Sequence, residues 1–142
     1  MPTRTAAHVD RSLHVPAEPV SVSAARRFVA ELLTGLGCRC SLRDDAELML
    51  SELVTNAVRH QRDGGIEITA ALHGSALRVS VTDDSREAPA ARPGNTPSTE
   101  SVSGRGLLLI ERLATRWGWA PLENGKVVWF EARCRCTVVG AA

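Results

Sequence analysis

The sequence predicts a two-layer α/β sandwich, in which a mixed or antiparallel sheet carries helices on one face. Two long segments with helical apolar periodicity precede the strand pairs. Two pairs of short, β-branched strands are each joined by a tight turn, which makes the paired strands antiparallel. A third helix separates these pairs, so the regular strand–helix alternation of a doubly wound fold is absent.

Length, composition and charge indicate an ordinary globular protein with a single domain over residues 1–142. Of the 142 residues, 44% are hydrophobic and 23% are charged. The net charge is only +1, so no basic field exists to hold nucleic acid or an anionic membrane. No apolar run reaches the roughly 18 residues that span a bilayer, and the first residues lack a signal-peptide pattern. The expected compartment is the cytoplasm.

The first two elements are predicted to be a strand and a helix. Arg11–Val15 is expected to form an edge strand that Pro16 ends. The helix that follows runs to Leu36, and Ser21 or Ser23 is predicted to be its N-cap because a hydroxyl satisfies a first-turn amide. Its larger apolar residues recur at four-residue steps on one face: Phe28, Leu32 and Leu36.

The second helix has the clearest pattern in the sequence. It is predicted to begin at Ser41 or Asp44 and to end at Gly64-Gly65. One apolar stripe follows the i, i+3, i+4, i+7 rule and should face the core: Ala46, Met49, Leu50, Leu53, Ala57 and Val58.

Two hairpins and a third helix complete the fold. The first hairpin joins Ile66–Leu72 to Ala76–Thr82, and a glycine-opened amphipathic helix is predicted over Gly104–Arg116. Between them, residues 85–103 contain three prolines and almost nothing large and apolar. Such a stretch is usually either disordered or a lid over a site. The second hairpin turns around Glu123-Asn124-Gly125 and joins Trp117–Pro121 to Val127–Ala132.

The four cysteines form two Cys-Arg-Cys pairs, Cys38/Cys40 and Cys134/Cys136. Four thiols can make a tetrahedral zinc site, but each pair here is separated by one residue, whereas two to four is usual. Disulfides are disfavoured in the cytoplasm. We therefore expect small, partly buried residues without a metal, and a structural zinc protein is the alternative.

The second helix also carries polar residues that could perform chemistry. Glu52 and Asn56 differ by about 40° around the helix axis and lie about 6 Å apart along it, so they share a face with Arg59 and His60. A carboxylate there can accept a proton, and an amide oxygen one turn on can ligate Mg²⁺. The alternative is a solvated helix face.

Two further segments could bind a ligand. Asp83 ends an alternating strand just before the proline-containing stretch of residues 85–103, and its carboxylate can accept hydrogen bonds from the amino group of a purine. A plain turn is the alternative. Gly104 and Gly106 let backbone amides approach a phosphate at the start of a helix; a plain helix start is the alternative. The Lys-Ser/Thr of a Walker-type loop is absent from this motif.

The order and spacing of these segments resemble the Bergerat-type ATP-binding fold of the GHKL superfamily. The N box corresponds to Glu52–His60 (ELVTNAVRH), and the two glycine boxes to Val81–Ser85 (VTDDS) and Ser103–Leu109 (SGRGLLL). Within this superfamily the chain is most similar to the short anti-sigma-factor serine/threonine kinases and their actinobacterial relatives. Trp117-Gly118 and the closing strand from Lys126 to Trp129 add to this resemblance, which covers roughly residues 11–133.

The resemblance implies a role for each matching residue. Glu52 matches the general base, Asn56 the magnesium ligand and Asp83 the aspartate that binds the adenine amino group. Gly104 and Gly106 match the glycines that contact phosphate. The remaining positions of the matched motifs that would face the nucleotide are Arg59, His60, Ser85, Arg105 and Leu107.

The sequence departs from the family motif after Asp83. The usual Asp-x-Gly-x-Gly is replaced by Asp83-Asp84-Ser85-Arg86-Glu87, which lacks both glycines. The second replacement bears on the geometry of the lid and on the tightness of ATP binding. Asp84 also adds a negative charge beside the site.

The resemblance implies a protein serine/threonine kinase that uses ATP and Mg²⁺ to phosphorylate a small anti-sigma-factor antagonist in a partner-switching pathway. A sigma factor is the second implied partner, and a homodimer is compatible with the family. The alternative is a non-catalytic, nucleotide-gated binding module with the same fold. The catalytic half of a histidine kinase is disfavoured, because the residues before Ser21 are too few and too proline-broken to form a phosphoacceptor helix.

Overall fold

The computed structural model describes residues 8–60, 64–85 and 102–136. Within these ranges the chain forms one five-stranded sheet and three helices. The elements, in chain order, are β1 (His8–Pro16), α1 (Ser21–Gly35), α2 (Leu42–His60), β2 (Gly65–His73), β3 (Ala76–Asp83), α3 (Val102–Leu113), β4 (Arg116–Leu122) and β5 (Gly125–Arg133).

The sheet has the strand order β1-β2-β3-β5-β4, and each neighbouring pair is antiparallel. The helices form a second layer, in which α2 lies between α1 and α3 and packs on β3 and β5. The predicted two-layer sandwich is confirmed. Its sheet is antiparallel rather than mixed because each strand of the described sheet pairs with a neighbour that runs in the opposite direction.

The core lies between the two layers. Alternate residues of each central strand point toward the helices, as the two-residue period of a strand requires. On β2 these residues are Ile66, Ile68, Ala70 and Leu72, and on β5 they include Val128, Phe130 and Ala132.

The predicted N-cap of α1 is wrong. The N-cap position is Val20, which has no side-chain cap hydrogen bond. Ser21 is the first helical residue, and its hydroxyl donates a hydrogen bond of 2.6 Å to the carbonyl of Pro16. The hydroxyl therefore ties the start of α1 to the end of β1 instead of satisfying a first-turn amide, and Ser23 is exposed.

The residues of α1 that enter the core are not its largest apolar residues. The two sets are offset by one position in the sequence. Phe28, Leu32 and Leu36 do share a face, but they are only half-buried and line a cleft against Val9 of β1. The buried positions are Ser21, Ala25, Val29 and Leu33.

The predicted start and most of the predicted core stripe of α2 are confirmed, and the predicted end at Gly64-Gly65 follows residues 61–63, which lie outside the described residues. It begins at Leu42, between the two predicted starts, and its described residues end at His60. Gly64 has a φ of 85°, in the left-handed region that favours glycine. The buried stripe includes Ala46, Met49, Leu50, Leu53 and Ala57, while Val58 is half-buried.

Both predicted hairpins are confirmed. In the first, His73 pairs with Ala76 across a two-residue turn. In the second, Leu122 pairs with Gly125, so Glu123 and Asn124 are the turn residues. The predicted edge strand is β1, which extends to His8, and most of the predicted lid, residues 86–101, lies outside the described residues.

Candidate functional site

The first part of the site lies on α2. Asn56 is buried, and Glu52, one turn earlier, is half-buried. A fully solvated face, the alternative for this pattern, does not fit the burial of Asn56. Burial raises the pKa of the Glu52 carboxyl, because removal of water disfavours the charged form.

The second part of the site is the end of β3. Asp83 is its last residue and is buried. The backbone amide of Ser85, which is also buried, donates a hydrogen bond of 2.8 Å to Asp83 Oδ1. This contact is the turn expected of an Asp at the end of a strand, so the turn and a ligand-binding carboxylate are compatible.

Lys126 of β5 completes this part of the site. Its Nζ atom lies 3.3 Å from Asp83 Oδ1 and 3.2 Å from Asp83 Oδ2. Burial raises the pKa of the Asp83 carboxyl, and the ammonium of Lys126 and the amide of Ser85 oppose that shift. The positive charge therefore offsets part of the penalty for a carboxylate held away from water.

Lys126 belongs to the closing strand of the family resemblance, which implies no role for it. The signal was present, because Lys126 lies two and four residues before Val128 and Phe130 and so shares their inward face. Lysine is the single exception to arginine among the basic residues of this chain. An inward lysine predicts a buried carboxylate partner, but the strand register that makes Asp83 this partner is not visible in the local sequence.

The third part of the site is the start of α3. The helix begins at Val102, so Gly104 and Gly106 lie within its first turns rather than before it. The first four amides of a helix have no partner within the helix, and they point toward whatever lies at its N-terminus. Leu107 is buried in the core, so its side chain is not exposed to a ligand. Arg105 belongs to the same turns.

The three parts of the site lie on elements that pack against one another. The helix that carries Glu52 and Asn56 packs on both β3 and α3. Asp83, Ser85 and Lys126 are in direct contact. The two other predicted residues lie at the end of α2, where Arg59 is exposed and His60 is half-buried.

The profile of the histidine kinase-like ATPase domain family matches residues 15–131. The chain belongs to this family. The match spans α1 to β5 and therefore includes all three parts of the site. It confirms the resemblance predicted from the order of the motifs. The description of the family as ATPase domains implies that its members use ATP.

Curated relatives of this family member are protein kinases by name. The chain is 27% identical over 119 residues to the serine-protein kinase RsbW of Listeria innocua, which is 75% of this chain and 76% of that protein. RsbW of Listeria monocytogenes matches to the same extent, with 27% identity over 119 residues.

Solved structures share the fold of this family member. The RsbU and RsbW domains of a Mycobacterium tuberculosis protein match with a TM-score of 0.67 and 22% identity over 88% of this chain. The chain spans 32% of that larger structure. The catalytic domain of the histidine kinase ThkA matches with a TM-score of 0.54 and 20% identity, covering 87% of this chain and 96% of that one.

In the part of the chain that the structure describes, no helix is both long enough and apolar enough to cross a membrane.

Proposed function

We propose that this chain is an ATP-dependent regulator of the serine/threonine protein kinase type, which phosphorylates a small antagonist protein in a partner-switching pathway. One observation carries the proposal: α2 places a half-buried carboxylate one turn from a buried amide and packs on the strand that ends in a buried carboxylate. The relatives named as serine-protein kinases support the same class of reaction.

Asp83 would select the base. Lys126 and the amide of Ser85 hold its carboxylate in one orientation, and a carboxylate has enough lone pairs to accept a further hydrogen bond. Adenine presents an exocyclic amino group as donor, whereas guanine presents a carbonyl oxygen at the corresponding position. A buried acceptor therefore favours adenine and repels guanine.

Asn56 and Glu52 would act at the phosphate end. Both offer oxygen atoms, the donor class that Mg²⁺ prefers, and Asn56 is the residue we assign to hold the ion. When bound, Mg²⁺ would neutralise charge on the phosphates during transfer. Glu52 would accept the proton from the incoming hydroxyl, and the raised pKa of its carboxyl makes it a stronger base than an exposed glutamate.

The start of α3 would receive the phosphates. Unpaired amides and the positive end of the helix dipole favour an anion there, and the absence of a side chain at Gly104 and Gly106 allows close approach. Arg105 and Leu107 belong to the same turns. Arg59 and His60 extend the polar face of α2 beyond Asn56.

The phosphate acceptor would be a serine or threonine of a separate antagonist protein. Phosphorylation adds about −1.5 to −2 charges, which would break the interface between that antagonist and this chain. Release of the antagonist would free this chain to hold a sigma factor. The cytoplasm, where ATP and sigma factors are available, is the proposed compartment.

Nucleotide binding to the purified full chain tests the proposal. Isothermal titration with ATP and magnesium should show saturable binding, and GTP should bind at least about tenfold more weakly, because one hydrogen bond to Asp83 would be replaced by repulsion. Equal affinity for ATP and GTP would remove the role of Asp83. No measurable affinity for either nucleotide would overturn the proposal.

A further inference from the structure

The two Cys-Arg-Cys pairs, far apart in the sequence, meet in the structure. Cys38 and Cys40 lie between α1 and α2, and Cys134 and Cys136 follow β5. The four Sγ atoms all lie within 4.8 Å of one another. The sequence predicts small, partly buried cysteines, and the structure adds that all four lie together.

The separations between the sulfurs match the edges of a tetrahedron around a metal. The Sγ atom of Cys38 lies 3.6 Å from that of Cys40, 3.7 Å from that of Cys134 and 4.0 Å from that of Cys136. The Cys40–Cys134 and Cys134–Cys136 separations are 3.7 Å and 3.2 Å. A zinc–sulfur bond of about 2.3 Å in tetrahedral geometry separates its sulfurs by about 3.8 Å.

We propose that Cys38, Cys40, Cys134 and Cys136 bind one Zn²⁺ ion through four thiolates. Tetrahedral sulfur sites take zinc or iron, and zinc is the usual ion where four cysteines close a structural site. A site with four protein ligands leaves no open position for a substrate, so the ion would stabilise the fold and take no part in phosphoryl transfer.

The backbone conformation explains how two cysteines separated by only one residue can bind the same ion. Gly37, with a φ of 82°, ends α1 in a left-handed turn that only glycine adopts easily. The amide of Cys38 then donates to the carbonyl of Leu33 at 2.9 Å, which directs the Cys38 side chain inward. On the other side, the amide of Cys134 donates to the carbonyl of Ser75 at 2.7 Å. The turn at Gly37 therefore fixes the position of the first pair, and the hydrogen bond from Cys134 to the turn between β2 and β3 fixes the position of the second pair.

Backbone amides around the cluster point at the sulfurs. The amide of Arg39 donates to Cys136 Sγ at 3.2 Å. The backbone amides of Leu42 and Arg135 donate hydrogen bonds to the Cys40 sulfur. Amide donors of this kind are the outer contacts that orient and stabilise metal-bound thiolates.

The residues around the cluster can compensate the charge of the site and leave the ion a route of entry. Four thiolates and one Zn²⁺ carry a net charge of −2, and the two residues inside the pairs, Arg39 and Arg135, are exposed arginines beside them. Cys40 and Cys136 are partly exposed, which gives an ion a route of entry.

The ion would fasten the helix layer to the sheet at the end of β5 opposite to Lys126 and Asp83. Cys40 lies two residues before α2, the helix that carries Glu52, and Cys134 directly follows β5, the strand that carries Lys126. Loss of the metal should therefore lower the melting temperature while the atoms proposed to contact ATP stay the same.

Metal analysis of the purified full chain tests this inference. Protein produced with zinc and then desalted should contain one zinc per chain by mass spectrometry of the metal. Replacement by Co²⁺ should give the intense visible bands and sulfur-to-cobalt charge-transfer bands of a tetrahedral four-thiolate complex. Zinc removal by a chelator should lower the melting temperature, and zinc addition should restore it.

A pair of variants locates the site. Cys40→Ser combined with Cys136→Ser should lose the zinc, whereas Ser41→Ala, a change at the exposed neighbour of Cys40, should keep it. Folded wild-type protein that takes up no zinc, that takes up iron instead, or that holds these thiols as disulfides in the presence of zinc would overturn the inference. ATP binding is measured separately, so failure of the zinc site and failure of the proposed kinase function are distinguishable.

Discussion

Lys126 and Asp83 face each other across β5 and β3 as a buried ion pair. They are direct partners in the antiparallel register, and both side chains are 2% exposed. The pair keeps a charged carboxylate at the buried end of β3. The ammonium of Lys126 takes the place of the water that would otherwise stabilise this charge. A carboxylate held in this way is suited to recognise a donor on a ligand rather than to exchange protons with water.

Lys126→Met should destabilise the protein by about 3–5 kcal/mol, because it leaves the charge of Asp83 buried without a partner. Urea denaturation at neutral pH measures the change. Asp83→Leu combined with Lys126→Met should recover much of the loss, because an apolar pair has no unpaired charge. A single variant that lost less than about 1 kcal/mol would show that the pair is accessible to water.

Gly125→Ala should lower stability by about 1–3 kcal/mol. A Cβ at Gly125 would overlap the backbone carbonyl of Asp83, and backbone atoms cannot move aside as a side chain can. Gly35→Ala is the matched control, because a Cβ there would meet no atom within 4 Å. Thermal unfolding of both variants checks this, and equal effects would contradict the close approach of β5 to β3.

Glu52→Gln should make the protein more stable at neutral pH while it slows phosphoryl transfer at least about a hundredfold. Burial raises the pKa of Glu52 in the folded state, so ionisation of this group opposes folding as pH rises through that pKa. Glutamine removes that opposition, and the stability difference should vanish at a pH below the ordinary glutamate pKa of about 4.3. Denaturation curves at acidic and neutral pH measure it. A difference that grew toward acidic pH would have the wrong sign.

Asn56→Ala should weaken ATP binding in the presence of Mg²⁺ by about tenfold or more, and should weaken it much less when a chelator removes the metal. Titration calorimetry under both conditions gives the two ratios. Thr55→Ala, at the neighbouring half-buried position, is the control and should change neither. Equal losses of affinity with and without Mg²⁺ would show that Asn56 supports the fold or contacts the nucleotide directly, and does not bind the metal ion.

Much of the fold could be predicted because its signals are local. The stripe from Ala46 to Ala57 specifies a helix and its buried face, and the two tight turns specify antiparallel pairs. The N-cap of α1 could not be predicted from its serines alone. Ser21 reaches the carbonyl of Pro16 only because β1 and α1 meet at that point.

The site shows the same division between local and long-range signals. Glu52, Asn56 and Asp83 could be proposed as site residues because each lies in a short motif whose residue types suit a stated chemistry. The contact between Lys126 and Asp83 depends on the register of two strands separated by α3 and β4. The meeting of Cys38 with Cys134 depends on how the end of α1 lies against the end of β5, which no local spacing specifies.

Transfer of labelled γ-phosphate to a cognate antagonist protein tests the central claim most directly. With Mg·ATP, the wild-type chain should label a serine or threonine of the antagonist, and Glu52→Gln should bind ATP but label it at least about a hundredfold more slowly. Absence of transfer by a wild-type chain that binds Mg·ATP, or undiminished transfer by Glu52→Gln, would contradict the account.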